Sequence, residues 1–265
     1  MWSLYWRLVG ARVRGQMQYK ASFWLEMISF GLSTGMEFAV IMILFSRFPS
    51  LAGWSVAEVA LLYGLTSISF SLTEMIGRGF DAPFEAMMVQ GTFDKILSRP
   101  LDSFFQVLAS EFQLRRLGRT AQGALVLGYA FSQLSIAWSW HGLLLVPLTI
   151  VSGTLIYLAL LVIGATICFW TIKTPEVINA FTFGGTTMVS YPLAIYNRWL
   201  RTVFLYIVPV AFVNYPAALF LLQRTDPMGL SPMLAWAAPF VALAFFGIAR
   251  AFWQIGVTKY QSAGS

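Results

Sequence analysis

The chain is poor in charged residues, cysteine and histidine, and each shortage excludes a class of protein or site. Of its 265 residues, 11% are charged and 58% are hydrophobic, whereas a soluble domain carries about a quarter charged residues. So little polar surface cannot enclose a globule in water. Several apolar runs also reach the roughly 20 residues that an α-helix needs to cross a bilayer. Composition therefore predicts an integral membrane protein.

The scarce cysteine and histidine exclude most intramembrane chemistry. The single Cys168 allows no intrachain disulfide and no zinc motif. The single His141 stands beside Trp138 and Trp140 and is interpreted as a residue of the membrane interface. The sequence contains no His-Glu-x-x-His, no paired intramembrane aspartates, and no Gly-rich phosphate loop ending in Gly-Lys-Ser or Gly-Lys-Thr. We therefore expect no catalytic residue, no metal and no cofactor belonging to the chain itself.

The formal charge of +6 would suggest a nucleic-acid partner in a soluble protein. Here the basic residues stand at the edges of apolar runs, where lysine and arginine contact lipid headgroups. Membrane lipid is therefore the expected partner of these charges, and nucleic acid is not.

The apolar pattern predicts an all-α membrane protein, with one transmembrane domain over residues 1–265. Residues 1–20 mix aromatic residues with Arg7, Arg12 and Arg14 and have no long apolar core, which predicts a helix lying along the membrane surface. Six spanning helices are predicted, at about 21–45, 56–76, 120–136, 143–170, 177–195 and 234–253.

The region 197–227 contains an apolar stretch that is interrupted by Pro209, Asn214 and Pro216. Each arm beside the break is about half a bilayer long as a helix, which favours a re-entrant hairpin on the outer side. A seventh, proline-kinked span is the alternative. With six spans, thirteen lysine and arginine residues lie inside and four outside; with seven, the division is twelve and five. Both counts place the N-terminus in the cytoplasm, and the six-span arrangement places the C-terminus there as well.

The polar segment 77–103 follows the second predicted span. Its apolar residues Phe84 and Met88 share a helical face, Gly91 is expected to end that helix, and Pro100 prevents helical geometry at the residue before it. Asp102 or Ser103 can cap the next helix. The segment is either a short helix with a charged tip that enters a partner's groove or an interfacial helix that lies on lipid.

The run 91–101, Gly-Thr-Phe-Asp-Lys-Ile-Leu-Ser-Arg-Pro-Leu, resembles the signature of a bacterial subfamily of type-two ABC export permeases related to viologen and drug exporters. The layout is similar over nearly all of the chain. The resemblance implies a permease of the bacterial inner membrane without ATPase activity of its own. Two permease chains, identical or paralogous, would pair with two cytoplasmic ATPase subunits that hold ATP and Mg²⁺. The implied ATPase contacts of the coupling segment are Phe84, Glu85, Met88, Thr92, Asp94 and Lys95.

The first predicted span carries two carboxylates, Glu26 and Glu37, which are eleven residues apart and share one helical face. A carboxylate near mid-membrane, as expected for Glu37, is costly and faces protein or water. It either forms a cation-attracting wall of a translocation path or braces helix packing. Hydroxyl groups of the second and fifth spans are further path candidates, although such groups also join helices. The candidate path residues are Glu37, Glu26, Ser67, Ser71 and Thr187.

The expected function is therefore export of a lipophilic or amphipathic compound from the cytoplasm or inner leaflet. An ion- or proton-coupled secondary carrier is the alternative. Such a carrier needs several ionisable groups at the midplane, and only Glu37 is well placed. The chain also has no strong inverted repeat, which many secondary carriers show.

Overall fold

The computed structural model describes residues 2–136, 138–171, 173, 176–227 and 229–260. The described residues contain no β-strand, and one isolated bridge joins Leu51 to Trp54. Met1 and residues 261–265, which the predicted domain includes, lie outside the described residues. The α-helices are α1 (Trp2–Met17), α2 (Lys20–Arg47), α3 (Val56–Gly77), α4 (Ala82–Val89), α5 (Asp94–Leu97), α6 (Ser103–Ser110), α7 (Leu117–Gln133), α8 (Trp140–Thr171), α9 (Glu176–Asn179), α10 (Gly185–Val189), α11 (Arg198–Thr202), α12 (Tyr215–Leu221) and α13 (Ala238–Lys259).

Four helical stretches in the described part of the chain are long and apolar enough to cross a membrane. They are Lys20–Arg47, Val56–Val89, Trp140–Thr171 and Pro232–Lys259. The first is α2, the second contains α3 and α4, the third is α8, and the fourth contains α13. These four agree with four of the six predicted spans, and the protein is a nearly all-helical, multi-pass membrane protein.

The other two predicted spans are shorter or less regular in the structure. The third corresponds to α7, which has 17 residues and begins before Arg119. The fifth is divided into α9, a π-helical turn over Ala180–Gly184, and α10. A helix rises only about 1.5 Å per residue. Neither α7 alone nor the joined pieces Glu176–Val189 are therefore long enough to cross a hydrocarbon layer of roughly 30 Å. Six full spans therefore stay a prediction.

The helix α3 forms the centre of the bundle. Its side chains are buried on every side, and five consecutive apolar positions from Val59 to Tyr63 are almost completely enclosed. A helix that is apolar all round is expected at the centre of a bundle. It packs mainly against α7 and α8, while α8 also packs along α13. By contrast, only 11% of the apolar window of α2 is buried, so α2 lies on the outside of the chain.

The helices α2 and α7 cross very closely at two glycines. A Cβ on Gly118 would lie 1.8 Å from the carbonyl oxygen of Met27, and one on Gly31 would lie 3.1 Å from the carbonyl oxygen of Gly118. Only glycine permits this approach at position 118. It brings Glu26 and Glu37 of α2 within reach of Arg115, just before α7, and of Arg119 in its first turn.

The segment after α10 breaks where proline and asparagine predict it. The helix α11 continues into a π-helical turn, Val203–Ile207, and ends before Pro209. A 3₁₀ turn, Val210–Val213, leads to Asn214, and Pro216 lies in the first turn of α12, where proline is well tolerated. The broken backbone is enclosed by α3, α8 and α10. Such irregular backbone is allowed in a membrane protein only when protein surrounds it.

Candidate functional site

The segment between α4 and α6 forms a compact helical tip, as its turn residues predict. Gly91 has a φ of 63° and ends α4. Its N–H donates to the carbonyl of Met88 (3.2 Å), and the N–H of Thr92 donates to that of Met87 (3.0 Å), which is the Schellman arrangement. At the other end of the tip, the carboxylate of Asp102 accepts from the N–H of Phe105 (3.3 Å) and caps α6.

Aromatic side chains fix the tip to the long helices. Phe84 of α4 lies 5.2 Å from the ring of Trp253 on α13 and 5.5 Å from that of Phe169 on α8, as measured between centroids. Phe93 packs against both Phe84 (5.5 Å) and Phe169 (5.3 Å). Phe80 is 5.2 Å from Trp253. We call these five rings the aromatic cluster.

Polar contacts also join the tip and α6 to α13. Arg250 of α13 forms an ion pair with Asp102 (2.5 Å), and the indole N–H of Trp253 donates to the hydroxyl of Ser103 (3.3 Å). On the other side, Gln106 Nε2 donates to the carbonyls of Ile96 (2.9 Å) and Leu101 (3.1 Å). The tip is therefore connected to α13 at several points.

The six predicted contact residues of the tip occupy different environments. Phe84 and Met88 are buried within their own chain, at 0% and 4% exposure, so in this conformation they support the tip from inside and present no surface to a partner. Glu85 and Thr92 are half-buried, and Asp94 and Lys95 are exposed. Sequence reasoning missed Val89, which is 55% exposed beside them. Its signal was weak because α4 carries apolar residues on both faces.

A polar cleft of about 420 Å³ opens between α2, α3, α7 and α10. It brings together three predicted path residues, Glu37, Ser67 and Thr187, from three different helices. Tyr63 and Arg119 also line it. The convergence of these side chains makes this cleft the candidate translocation site.

Arg119 is the central charge of the cleft. Its guanidinium lies 3.7 Å from the carboxylate of Glu37 and donates through Nε to the hydroxyl of Ser67 (3.4 Å). It also lies 5.1 Å from the ring centroid of Phe70. Arg119 was not among the candidate path residues, although its position one residue before the predicted span 120–136 was a sign that it enters the bundle. Because the cleft contains both charge signs, it is not simply a trap for cations.

Glu26 and Ser71 do not reach this cleft. Glu26 forms an ion pair with Arg115 nearer the start of α2. Ser71 donates to the carbonyl of Arg116 (2.7 Å) and lies 2.9 Å from the hydroxyl of Thr120. Its hydroxyl therefore joins α3 to the start of α7, which is the packing role that such groups often have.

A buried charge network lies between the cleft and the tip. Glu74 is only 3% exposed and lies 3.2 Å from Arg116 and 3.5 Å from Arg78, which also pairs with Asp81 at 2.5 Å. Arg116 stacks on Phe30, with its guanidinium carbon 4.2 Å from the ring centroid. Burial lowers the pKa of the Arg116 guanidinium, and the Glu74 carboxylate opposes that shift. The network joins α2, α3 and the start of α7 where the bundle meets the tip.

Comparison with known proteins gives one finding. A family model described as "ABC-2 family transporter protein" matches residues 32–264, which include the tip and all the described residues that line the cleft. No curated protein matches the chain, and no solved structure does.

Proposed function

Because the chain belongs to the ABC-2 family of transporters, whose members are the membrane components of ABC systems, we propose that it is an export permease driven by separate ATPase subunits. In this proposal the chain lies in the bacterial inner membrane with both termini in the cytoplasm. It moves a lipophilic or amphipathic compound outward from the cytoplasm or the inner leaflet. It has no enzymatic activity of its own, and ATP and Mg²⁺ are bound by the partner.

The observation that carries the proposal is the rigid tip. It projects from the bundle on two short helices, and its base is packed against α8 and α13 through the aromatic cluster. Glu85, Thr92, Asp94 and Lys95 form the surface proposed to enter a groove of the ATPase, together with exposed Val89. A mixed apolar and charged surface of this kind suits a protein partner better than lipid. Phe84 and Met88 act indirectly, because they fix the position of that surface.

Movement of the tip would reach the cleft through two connections. Through Arg250 and Trp253 the tip would act on α13, which packs extensively against α8. Through Arg78 and Glu74 it acts on Arg116, which stands three residues before Arg119. Closure of two ATPase subunits would therefore change the separation of α2, α3 and α7, and with it the width of the cleft.

The exposure of Glu37 supports a second permease chain, identical or paralogous. The carboxylate lies near the middle of α2, and 53% of its side chain is exposed despite the Arg119 ion pair. Such a group in contact with hydrocarbon costs several kcal/mol. Two chains that face each other across α2 would enclose both clefts in one polar path. A compound with a polar group of either sign suits that path, since Arg119 balances the charge of Glu37.

The test is reconstitution of the full chain in liposomes, with and without the ATPase that co-purifies with it. Transport should require both the ATPase and ATP. The double variant Asp94→Asn/Lys95→Gln should lower transport at least tenfold while the protein keeps its thermal stability, because exposed polar residues contribute little to folding. The control Glu111→Gln/Arg47→Gln also removes one acid and one base and should behave as wild type.

Two results would contradict the proposal. The first is transport by the isolated chain in ATP-free vesicles that responds to a proton gradient, which would favour the secondary carrier. The second is an Asp94/Lys95 variant that still couples ATP hydrolysis to transport as wild type does.

A further inference from the structure

A second cleft separates the N-terminal helix from the base of the tip. It has a volume of about 240 Å³ and lies between α1, the turn that follows α5, and α6. Leu8, Ile96 and Leu101 contribute apolar walls, and Arg12 comes from α1 and Arg99 from the turn after α5. This volume is smaller than that of a site for a whole drug-sized molecule, so the cleft suits part of a larger ligand. Neither the tip surface nor the translocation cleft uses this space.

The charge of this cleft has one sign. No aspartate or glutamate is among its described lining residues. Within the described part of the chain, neither Arg12 nor Arg99 forms an ion pair, and both side chains are exposed. Two unneutralised guanidiniums beside an apolar wall are complementary to a molecule that has both an anionic group and a hydrocarbon chain, because guanidinium binds phosphate oxygens in pairs.

The position of α1 indicates where the cleft would meet such a molecule. One face of α1 is docked on the bundle: Tyr5 and Val9 are buried against Ala109 and Phe112, and Gln16 donates to the Phe112 carbonyl. The other side exposes Trp6 at 62%. An amphipathic helix with exposed tryptophan and arginine lies in the headgroup region of a bilayer. The second cleft is therefore open at the depth of phospholipid headgroups.

We propose that this cleft binds an anionic phospholipid of the inner leaflet. Its phosphate lies between Arg12 and Arg99, and an acyl chain follows Leu8 and Leu101. The inference rests on the proposed orientation, in which the tip is cytoplasmic. A bound lipid would bridge α1 to the turn that leads out of the tip, so the lipid composition would affect how firmly the tip is held.

The probe is dipalmitoyl phosphatidylglycerol added to the full-length chain in detergent, with phosphatidylcholine of the same chains as the neutral comparison. Binding is followed by mass spectrometry of the intact complex. Wild type should retain phosphatidylglycerol selectively. Arg12→Gln/Arg99→Gln should weaken it about 25-fold, since each basic residue near anionic lipid contributes about fivefold. Arg7→Gln/Arg14→Gln removes the same charge from exposed positions of α1 outside the cleft and should change binding by about twofold or less.

Several outcomes would overturn the proposal. Equal losses in the two double variants would mean general attraction to the basic helix, and equal retention of phosphatidylcholine would mean no recognition of charge. Displacement by glycerol phosphate at the same concentration would identify a free phosphate ester as the ligand. In a separate purification with the ATPase, loss of co-purification by Arg12→Gln/Arg99→Gln, with lipid binding unchanged, would assign the cleft to the ATPase. Because the assay contains neither ATPase nor transported compound, its failure is distinct from failure of the proposed transport.

Discussion

Apolar packing holds both halves of the bundle, but the halves differ in where their polar contacts lie. At the tip end, the aromatic cluster joins α4 to α8 and α13 through ring contacts, and the polar contacts there are partly exposed. In the other half, the broken segment around Asn214 packs in the apolar core and is also held by buried, directional polar contacts. The Asn214 amide nitrogen lies within hydrogen-bond distance of the carbonyls of Leu62 (3.2 Å) and Val189 (2.5 Å) and of the hydroxyl of Thr66 (2.8 Å), and its two N–H groups are shared among these three acceptors.

The same half contains two further polar connections. Asp226 is buried and accepts from Tyr215 (2.6 Å) and from Arg201 (3.2 Å). Arg224 pairs with Glu58 at the start of α3 (2.7 Å) and stacks on Trp54. The start of α3 is thus attached to the segment that follows α12.

This contrast explains how one bundle can move and still keep its architecture. Apolar contact is non-directional and persists when packed helices slide slightly, whereas a hydrogen bond weakens steeply once its geometry is lost. The tip end is therefore suited to transmit movement as one unit, in which α4, α8 and α13 shift together. The other half keeps one geometry until its polar contacts break together.

Removal of Trp253 should be the most destabilising change. Trp253 is fully buried and contacts Phe80, Phe84 and Phe169. Trp253→Ala leaves a large cavity, and such substitutions cost about 3–5 kcal/mol. Denaturant unfolding of the purified chain in detergent measures the loss. Trp199 is 71% exposed, so Trp199→Ala is the control and should remain near wild type; equal losses would show that the aromatic cluster has no special role.

Loss of the Asn214 amide should have a smaller but specific effect. Asn214→Leu keeps the volume roughly constant and removes two N–H donors that are shared among three buried acceptors, at a cost of about 1–3 kcal/mol. The variant should also expose the segment around Val210 to hydrogen exchange, while the tip keeps its protection. Gln133 lies exposed at the end of α7, and Gln133→Leu should change little. If exchange increases equally at the tip, the two halves are not independent.

The sequence predicted local features better than it predicted partners. Gly91 as a helix end, Asp102 as a cap and the breaks at Pro209 and Asn214 depend on the backbone preferences of single residues, and all four are observed. The sequence did not predict that Glu37, Ser67 and Thr187 lie close together. Each was a candidate because a polar side chain within a membrane span is costly unless it has a polar partner or a function.

The features that sequence reasoning missed depend on distant residues. The family resemblance implied Phe84 and Met88 as partner contacts, and an eight-residue helix with apolar residues on both faces does not reveal which face its own chain covers. The covering side chains, Phe169 and Trp253, follow more than 80 residues later. Likewise, the entry of Arg119 into the bundle is compensated by Glu37, which is far away in the chain.

The ion pair between Arg250 and Asp102 gives the smallest expected loss of stability and the sharpest test of the contrast. Both side chains are partly exposed, at 24% and 30%, and such pairs contribute about 1 kcal/mol or less. Arg250→Gln should therefore unfold nearly as wild type does, and Arg47→Gln, which removes an exposed arginine at the end of α2, provides the matched control. Transport by the reconstituted complex should nevertheless fall more than stability does, because Arg250 directs the movement of the tip into α13. A variant that transports normally would show that ring packing alone transmits the movement, and the polar contacts of the tip would then have no part in coupling.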